Sequence, residues 1–248
     1  MRNLSRICFA VAVGCAAALV LAHSRQQRLP EVGGMVPAVF NAPRQTAIDS
    51  AAFSLSRGGM TYTVTPLYAY EISGLVVSLF DTATWWNMYH KEWKDRLNIK
   101  DVCLIWGDNI SRQVYPRMKF SSTSFECRYE TRDAQTWRQF DPACLSNNHL
   151  LPADAEVERT IRDIRRGDQI FLRGYLVSYE RGPEFKRGSS TTRADNGAWS
   201  CETIYVTSAR ILKPHQRFWV HIANTMKILL AITAISGFAG YFLIPPGE

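Results

Sequence analysis

Several short motifs that mark well-known catalytic and metal sites are absent from this sequence of 248 residues. It contains no C-x-x-C pair, which removes the best signal for a zinc ribbon or a thioredoxin-like redox site. It also lacks H-E-x-x-H, a glycine-rich phosphate loop followed by Lys-Ser/Thr, and the G-x-S-x-G turn of α/β-hydrolases. These absences predict no metal and no cofactor, and they favour a binding protein over an enzyme.

A clustered basic face is also lacking. The net charge of the chain is +7, but Ala51 to Arg217 holds 23 Lys/Arg against 19 Asp/Glu, a balance of only +4. Nucleic-acid binding needs basic residues that are gathered on one face. No nucleic-acid partner is therefore expected.

The first of two long apolar segments runs from Ile7 to Ala22 and follows Arg2 and Arg6. A basic start before a short apolar run is typical of a signal peptide or a signal anchor, here over residues 1–23. Val20-Leu21-Ala22 is a weak candidate for a cleavage site.

The second apolar segment, from Ile228 to Ile244, ends at two prolines. Its length approaches the ~20 residues that span the hydrocarbon of a bilayer, so it predicts a transmembrane helix over 218–244. A buried core helix is the alternative. The membrane is thus an expected partner.

The basic residues give conflicting signals about orientation. Arg2 and Arg6 predict that the middle of the chain is exported, whereas Arg210, Lys213 and Arg217 would hold it in the cytoplasm by the positive-inside rule. Because the first helix usually dominates orientation, we expect the middle domain in the periplasm.

Four cysteines fall between the apolar segments: Cys103, Cys127, Cys144 and Cys201. An even number fits two disulfides formed in an oxidising compartment, with three possible pairings. Four buried, reduced thiols are the alternative.

Residues 24–59 are rich in Pro, Gly, Arg and Gln and show little periodicity, which predicts a linker before a domain over 60–215. "MTYTVTPLYAYEISGLVVSLFD", "KDVCLIWGDNI" and "SSTSFECRYE" are typical of strands. A Trp-rich stripe over residues 85–97 has helical spacing. A looser segment is expected from Arg132 through "SNNHLLP".

The second half of the domain has the clearest pattern. "ADAEVERTIRDIRRGD" predicts a helix with acidic residues in its first turn and Gly167 as its stop. A strand follows with a bulge expected at Gly174, then a polar loop, then the last strand "CETIYVTSARIL".

This order of three strands, a helix and two strands resembles the OB-fold, a small Greek-key barrel. The resemblance covers Glu71 to Lys213 and implies a mainly β, OB-like Greek-key barrel with one or two accessory helices. The two apolar segments are expected to flank this barrel as an N-terminal and a C-terminal transmembrane helix. The extra helix over 85–97 and the segment 132–152 depart from the minimal pattern. In addition, "WWNMYHKEWKD", "SNNHLLPAD" and "TRADNGAWSCETIYV" resemble segments of uncharacterised membrane-anchored proteins of Gram-negative bacteria. That resemblance implies an inner-membrane location and no activity.

Six residues are candidate binding residues. Arg193, Asp195 and Asn196 combine charge with turn chemistry in the loop between the last two strands, a loop that OB-folds use for recognition. The Trp-rich stripe could grip a partner or pack as core, and a histidine in "SNNHLL" could be catalytic or could hydrogen-bond the backbone as a loop residue. These last candidates are Trp86, Trp93 and His149.

The favoured hypothesis is a non-catalytic, membrane-anchored periplasmic module that binds another envelope protein. One alternative is a hydrolase-like enzyme that uses the loop 193–202 with His149. The other is a cytoplasm-facing barrel that binds nucleic acid or lipid.

Overall fold

The computed structural model describes residues 2–82, 95–123, 126–192 and 201–243. They divide into two compact units. The helical unit comprises Met1–Arg28 and Gln216–Glu248, and the sheet unit comprises Leu29–His215.

The helical unit is built from α1 (Arg2–Gln26) and the C-terminal helix α5 (Arg217–Leu243). Among the described residues, these two helices are long and apolar enough to span a membrane, which confirms both predicted apolar helices at that level. Large apolar side chains on both helices are exposed, including Phe9, Ile235 and Phe238. Such exposure suits contact with lipid rather than water.

The sheet unit contains ten described strands, which makes the chain mainly β as predicted. They are β1 (Arg44–Ala47), β2 (Phe53–Arg57), β3 (Met60–Asp81), β4 (Lys100–Ile105), β5 (Lys119–Thr123), β6 (Glu126–Glu130), β7 (Leu145–Pro152), β8 (Gln169–Arg181), β9 (Phe185–Arg187) and β10 (Cys201–Lys213). The α-helices among the described residues of this unit are α2 (Asp108–Ser111), α3 (Ala134–Gln139) and α4 (Ala155–Asp163).

Five of these strands pair in an order that returns to its start. Strand β3 pairs antiparallel with β4, β4 pairs antiparallel with β7, and β7 pairs parallel with β10. Strand β10 pairs antiparallel with β8, and β8 pairs antiparallel with β3. The 22-residue β3 reaches both neighbours because β8 pairs with Thr63–Leu75 and β4 with Leu75–Asp81.

The remaining strands lie outside this circuit. Strands β1 and β2 pair with β3, and β9 pairs with β8. Strands β5 and β6 form a separate hairpin. A disulfide between Cys103 of β4 and Cys127 of β6 ties this hairpin to the large sheet.

The core is a set of apolar side chains between the strands and helix α4. It includes Val102, Leu104, Leu150, Leu172 and Ile204, each fully buried, together with Val157 and Ile161 of α4. The Asp154 carboxylate caps the start of α4 by accepting the N–H groups of Glu156 and Val157. At the other end, the buried Lys100 ammonium donates to the carbonyls of Arg162 and Ile164 at 2.7 and 3.2 Å.

Gly167 ends helix α4 as predicted, and Gly174 lies beside the irregularity that was predicted at its own position. Gly167 has φ of +85° just after α4, a conformation that ends helices and that favours glycine. At Gly174 an added Cβ would lie 1.9 Å from the Tyr205 carbonyl oxygen. The irregularity predicted at Gly174 lies in the partner strand instead, as a register shift between Val206 and Ser208 of β10.

The segment predicted as a linker over 24–59 differs from the structure. It contains β1 and β2, and side chains before them, including Val32, Val36 and the fully buried Val39, pack on the second apolar cluster of the sheet unit. This cluster covers the outer face of β4, which would otherwise expose Cys103 and Ile105. Burial of that apolar face therefore orders a stretch without periodicity.

The strand assignment of the middle segment also differs. "SSTSFECRYE" contains two strands, β5 and β6, of the separate hairpin, and residues 124–125 lie outside the described residues. The third strand of the circuit is β7, which lies in the segment predicted to be loose. Within the predicted polar loop after β8, residues Phe185–Arg187 form β9.

One of the two expected disulfides is present. Cys144 and Cys201 remain thiols in the structure. Cys201 pairs in register with Asn147, three residues beyond Cys144 along the chain. Three residues of extended chain correspond to about 10 Å, which exceeds the Cα separation that a disulfide can bridge.

Candidate functional site

A buried group of polar side chains lies on the outer face of β4 and β7. Asp101 and His149 are direct cross-strand partners, so their side chains stand next to each other on one face. The Asp101 carboxylate is 2.6 Å from Nδ1 of His149, and the two residues are 0% and 2% exposed.

Arg187 continues this group from the end of β9. Its guanidinium reaches Nε2 of His149 at 3.1 Å and the Asp95 carboxylate at 3.3 Å. The Tyr179 hydroxyl of β8 donates to the same Asp95 oxygen at 2.6 Å. We call Asp95, Asp101, His149, Tyr179 and Arg187 the charged network.

Both nitrogens of the His149 ring are occupied by neighbours in this network. A guanidinium can only donate, and its nitrogen lies 3.1 Å from Nε2 of His149. A carboxylate can only accept, and Nδ1 donates to Asp101 at 2.6 Å. Neither ring nitrogen is therefore left to exchange a proton with a substrate.

Burial and neighbouring charges shift the pKa values of the network. Burial alone would raise the pKa of Asp101, but His149, Arg187 and the Asn98 amide, which donates at 2.6 Å, together lower it to about 2. Burial and the Asp95 carboxylate raise the pKa of Tyr179 well above its usual value. At neutral pH, Asp101 is therefore ionised and Tyr179 keeps its proton.

Cys201 lies beside the network but is not an activated nucleophile. The Asn147 amide contacts its Sγ at 3.5 Å. Burial, more than its charged neighbours, raises the pKa of the Cys201 thiol to about 11. Because the thiolate is the nucleophilic form, this thiol is poorly reactive at neutral pH.

The network sits where two long connections enter and leave the sheet. Asp95 belongs to the connection between β3 and β4, and its Oδ1 accepts the Leu97 N–H at 3.1 Å. Arg187 is the last residue of β9 and begins the connection to β10. The Arg187–Asp95 ion pair therefore joins the bases of both connections.

Further hydrogen bonds close each connection at its ends. The Thr82 hydroxyl donates to the Asn98 carbonyl at 2.8 Å. In the other connection, the Thr203 hydroxyl donates to the Gly188 carbonyl, and the Ser190 N–H donates to the Cys201 carbonyl, both at 2.8 Å. These hydrogen bonds hold the described ends of both connections on the sheet.

Of the six predicted site residues, the structure places one. His149 lies in a buried strand and bonds to side chains, so of its two readings the loop residue that bonds the backbone is wrong. The physical reason is that Asp101 accepts from the ring and Arg187 places a donor beside it. Both partners come from distant parts of the chain, so the spacing of residues near His149 does not reveal them. Trp86, Trp93, Arg193, Asp195 and Asn196 lie outside the described residues.

Sequence reasoning missed four members of the network: Asp95, Asp101, Tyr179 and Arg187. One signal was available, since Asp101 stands inside the apolar strand "KDVCLIW", where a carboxylate needs a buried partner. Within the ranges that the structure describes, no group of three or more His, Cys, Asp or Glu side chains could hold a metal ion.

Comparison with known proteins adds no relative. No protein-family model, no curated protein and no solved structure matches the chain.

Proposed function

We propose that the chain is a non-catalytic, membrane-anchored module of the bacterial inner membrane, whose sheet unit lies in the periplasm and binds another envelope protein. Its proposed binding surface includes the two connections whose described ends the charged network joins. The predicted binding residues Trp86, Trp93, Arg193, Asp195 and Asn196 belong to these connections by their position in the sequence.

An OB-like barrel is the architecture that we propose for the sheet unit. Three observations support it: the strand pairing returns from β8 to β3, β7 and β10 run parallel, and α4 follows the third strand of the circuit. OB-folds bind their ligands on one strand face and in the loops between strands 1 and 2 and strands 4 and 5. Here the corresponding connections run from β3 to β4 and from β9 to β10.

The periplasmic location is supported by the disulfide and the apolar helices. Disulfides persist in oxidising compartments and are rare in the cytosol, so the Cys103–Cys127 bond favours export of the sheet unit. The two apolar helices supply the means of anchoring.

The observation that carries the choice of binding over catalysis is the use of the charged network. Its buried groups bond to one another across the bases of both connections, and His149 keeps no ring nitrogen for proton transfer. A network that joins the described ends of both connections suits recognition, because chain ends that are held in place lose less entropy when a partner binds.

The proposal is tested by purifying the tagged, full-length chain from detergent-solubilised membranes and identifying the proteins that come with it. Wild type is compared with W86A/W93A and with the control W137A, whose tryptophan is 53% exposed but belongs to α3. We expect a reproducible set of envelope proteins that W86A/W93A loses and W137A keeps. The proposal fails if no protein is enriched, or if both variants retain the same set.

A further inference from the structure

The two helices of the helical unit meet along one stripe on each helix. The less exposed residues recur every three or four positions, which is the spacing of helices that pack side by side. On α1 they include Cys8, Ala12, Cys15, Leu19, Ala22 and Gln26, and on α5 they include Ala223, Met226, Leu230, Thr233 and Gly237. Most of them are small, and small residues let helices approach closely in a membrane.

Two contacts fix how the helices are aligned. The Gln26 side-chain amide donates to the Trp219 carbonyl at 3.0 Å, and the Arg25 guanidinium lies 5.7 Å from the centre of the Trp219 ring. The end of α1 is therefore beside the start of α5, and the helices run antiparallel. Counting equal numbers of residues from this contact places Cys15 opposite Leu230.

The candidate cleavage site Val20-Leu21-Ala22 lies within helix α1, and its last residue belongs to this packed stripe. Ala22 is 0% exposed, and helix α1 continues past it to Gln26. Proteolysis concentrates in exposed, irregular segments, and a packed helix is a poor substrate.

We infer that α1 is not removed and that it forms a two-helix anchor with α5. Each helix supplies the face that the other covers, so α1 is a structural partner of α5 and not only an export signal. The inference rests on the membrane location in the proposed function. It does not depend on partner binding, because α5 alone would still anchor a processed chain.

Two measurements test the inference on the full chain. The first is the intact mass of wild-type protein that carries a C-terminal tag and is purified from membranes. The second is oxidative cross-linking of C8S/L230C in membranes, with C8S/I228C as control because Ile228 is 61% exposed. Peptides that link residue 15 to the new cysteine are measured by mass spectrometry.

We expect a chain that keeps its N-terminus, and a cross-linked fraction several-fold higher for position 230 than for position 228. A chain that begins at His23 overturns the inference directly. The pairing of the helices is overturned if the chain is intact but Cys15 forms no cross-link, or forms it equally with positions 230 and 228. In either case the purification with W86A/W93A still reports separately on partner binding.

Discussion

Replacing Cys127 by Ser is expected to lower the free energy of unfolding of the sheet unit by about 3.5 kcal/mol. The disulfide joins residues 24 positions apart. Closing a loop of that size lowers the entropy of the unfolded chain by about 12 cal/mol/K, which corresponds to about 3.5 kcal/mol at 25 °C. Cys127 is the better partner to change, because Cys103 is fully buried and its replacement would also alter packing.

The β5–β6 hairpin should lose the most protection. Among the described strands, β5 and β6 pair only with each other, and an isolated two-stranded hairpin is marginal in water. Without the disulfide, the hairpin is held by packing of residues such as Phe120 and Phe140, whose ring centres are 6.2 Å apart. We therefore expect hydrogen exchange of the backbone amides of β5 and β6 to accelerate more than that of β8.

The assay is urea unfolding of the full chain in detergent, followed by tryptophan fluorescence with and without reductant. Reductant should bring wild type to the stability of C127S and leave C127S unchanged. The control C144S removes a thiol that forms no disulfide and should keep the sensitivity of wild type to reductant. The reasoning is refuted if reductant does not move the midpoint of wild type, or if C127S unfolds at the same urea concentration as wild type.

Three further predictions concern buried groups, each with a matched control. D101N should lower the free energy of unfolding by roughly 2 kcal/mol at pH 7 relative to the exposed D163N. The loss should disappear as the pH falls from about 4 to 2, because the lowered pKa of Asp101 stabilises the fold only while its carboxylate is ionised. A difference that stays constant across this pH range in unfolding experiments would contradict this. Burial lowers the pKa of Lys100 to about 8, so the folded chain releases this proton at a lower pH than the unfolded chain does. From pH 8 to 9 the free energy of unfolding of wild type should therefore rise by up to about 1.4 kcal/mol per pH unit relative to that of K100M. K186M, which changes an exposed lysine, should follow wild type. G174A should cost more than about 3 kcal/mol in the same assay, because its Cβ would meet a backbone carbonyl oxygen at 1.9 Å, whereas G188A meets nothing within 4 Å and should change stability little.

The parts of the fold that the sequence predicts well are those with strong local signals. Helix α4 has an acidic start, apolar residues at helical spacing and a glycine stop, and it was predicted within a few residues. The last strand was predicted to begin at Cys201 and does so. In these segments local propensity and tertiary packing favour the same structure.

Strand β7 shows why the rest could not be predicted. Its residues Ser146, Asn147 and Asn148 are polar, and asparagine is uncommon in strands. Asn148 is buried because the sheet supplies a hydrogen-bond partner, the Val102 carbonyl, which accepts from its amide at 3.0 Å. That partner lies 46 positions away, so no local pattern could reveal it.

The charged network was hidden for the same reason. Arg187 and Asp95 are 92 positions apart, and only the meeting of β9 with the connection after β3 brings them together. His149 was noticed as a candidate from its residue type, but its role depends on Asp101, which is 48 positions away. Pairing of this kind is fixed by topology and not by spacing.

The position of the sheet unit relative to the membrane is the claim on which the proposed function depends most. It is tested most directly by inserting alkaline phosphatase, which is active only after export, into the exposed turn at Gly182–Glu184 of the full chain. A fluorescent protein at the C-terminus reports on the opposite side in the same cells. The account predicts active phosphatase together with a bright C-terminal fluorescent protein, whereas inactive phosphatase in a chain that still inserts into membranes would contradict it.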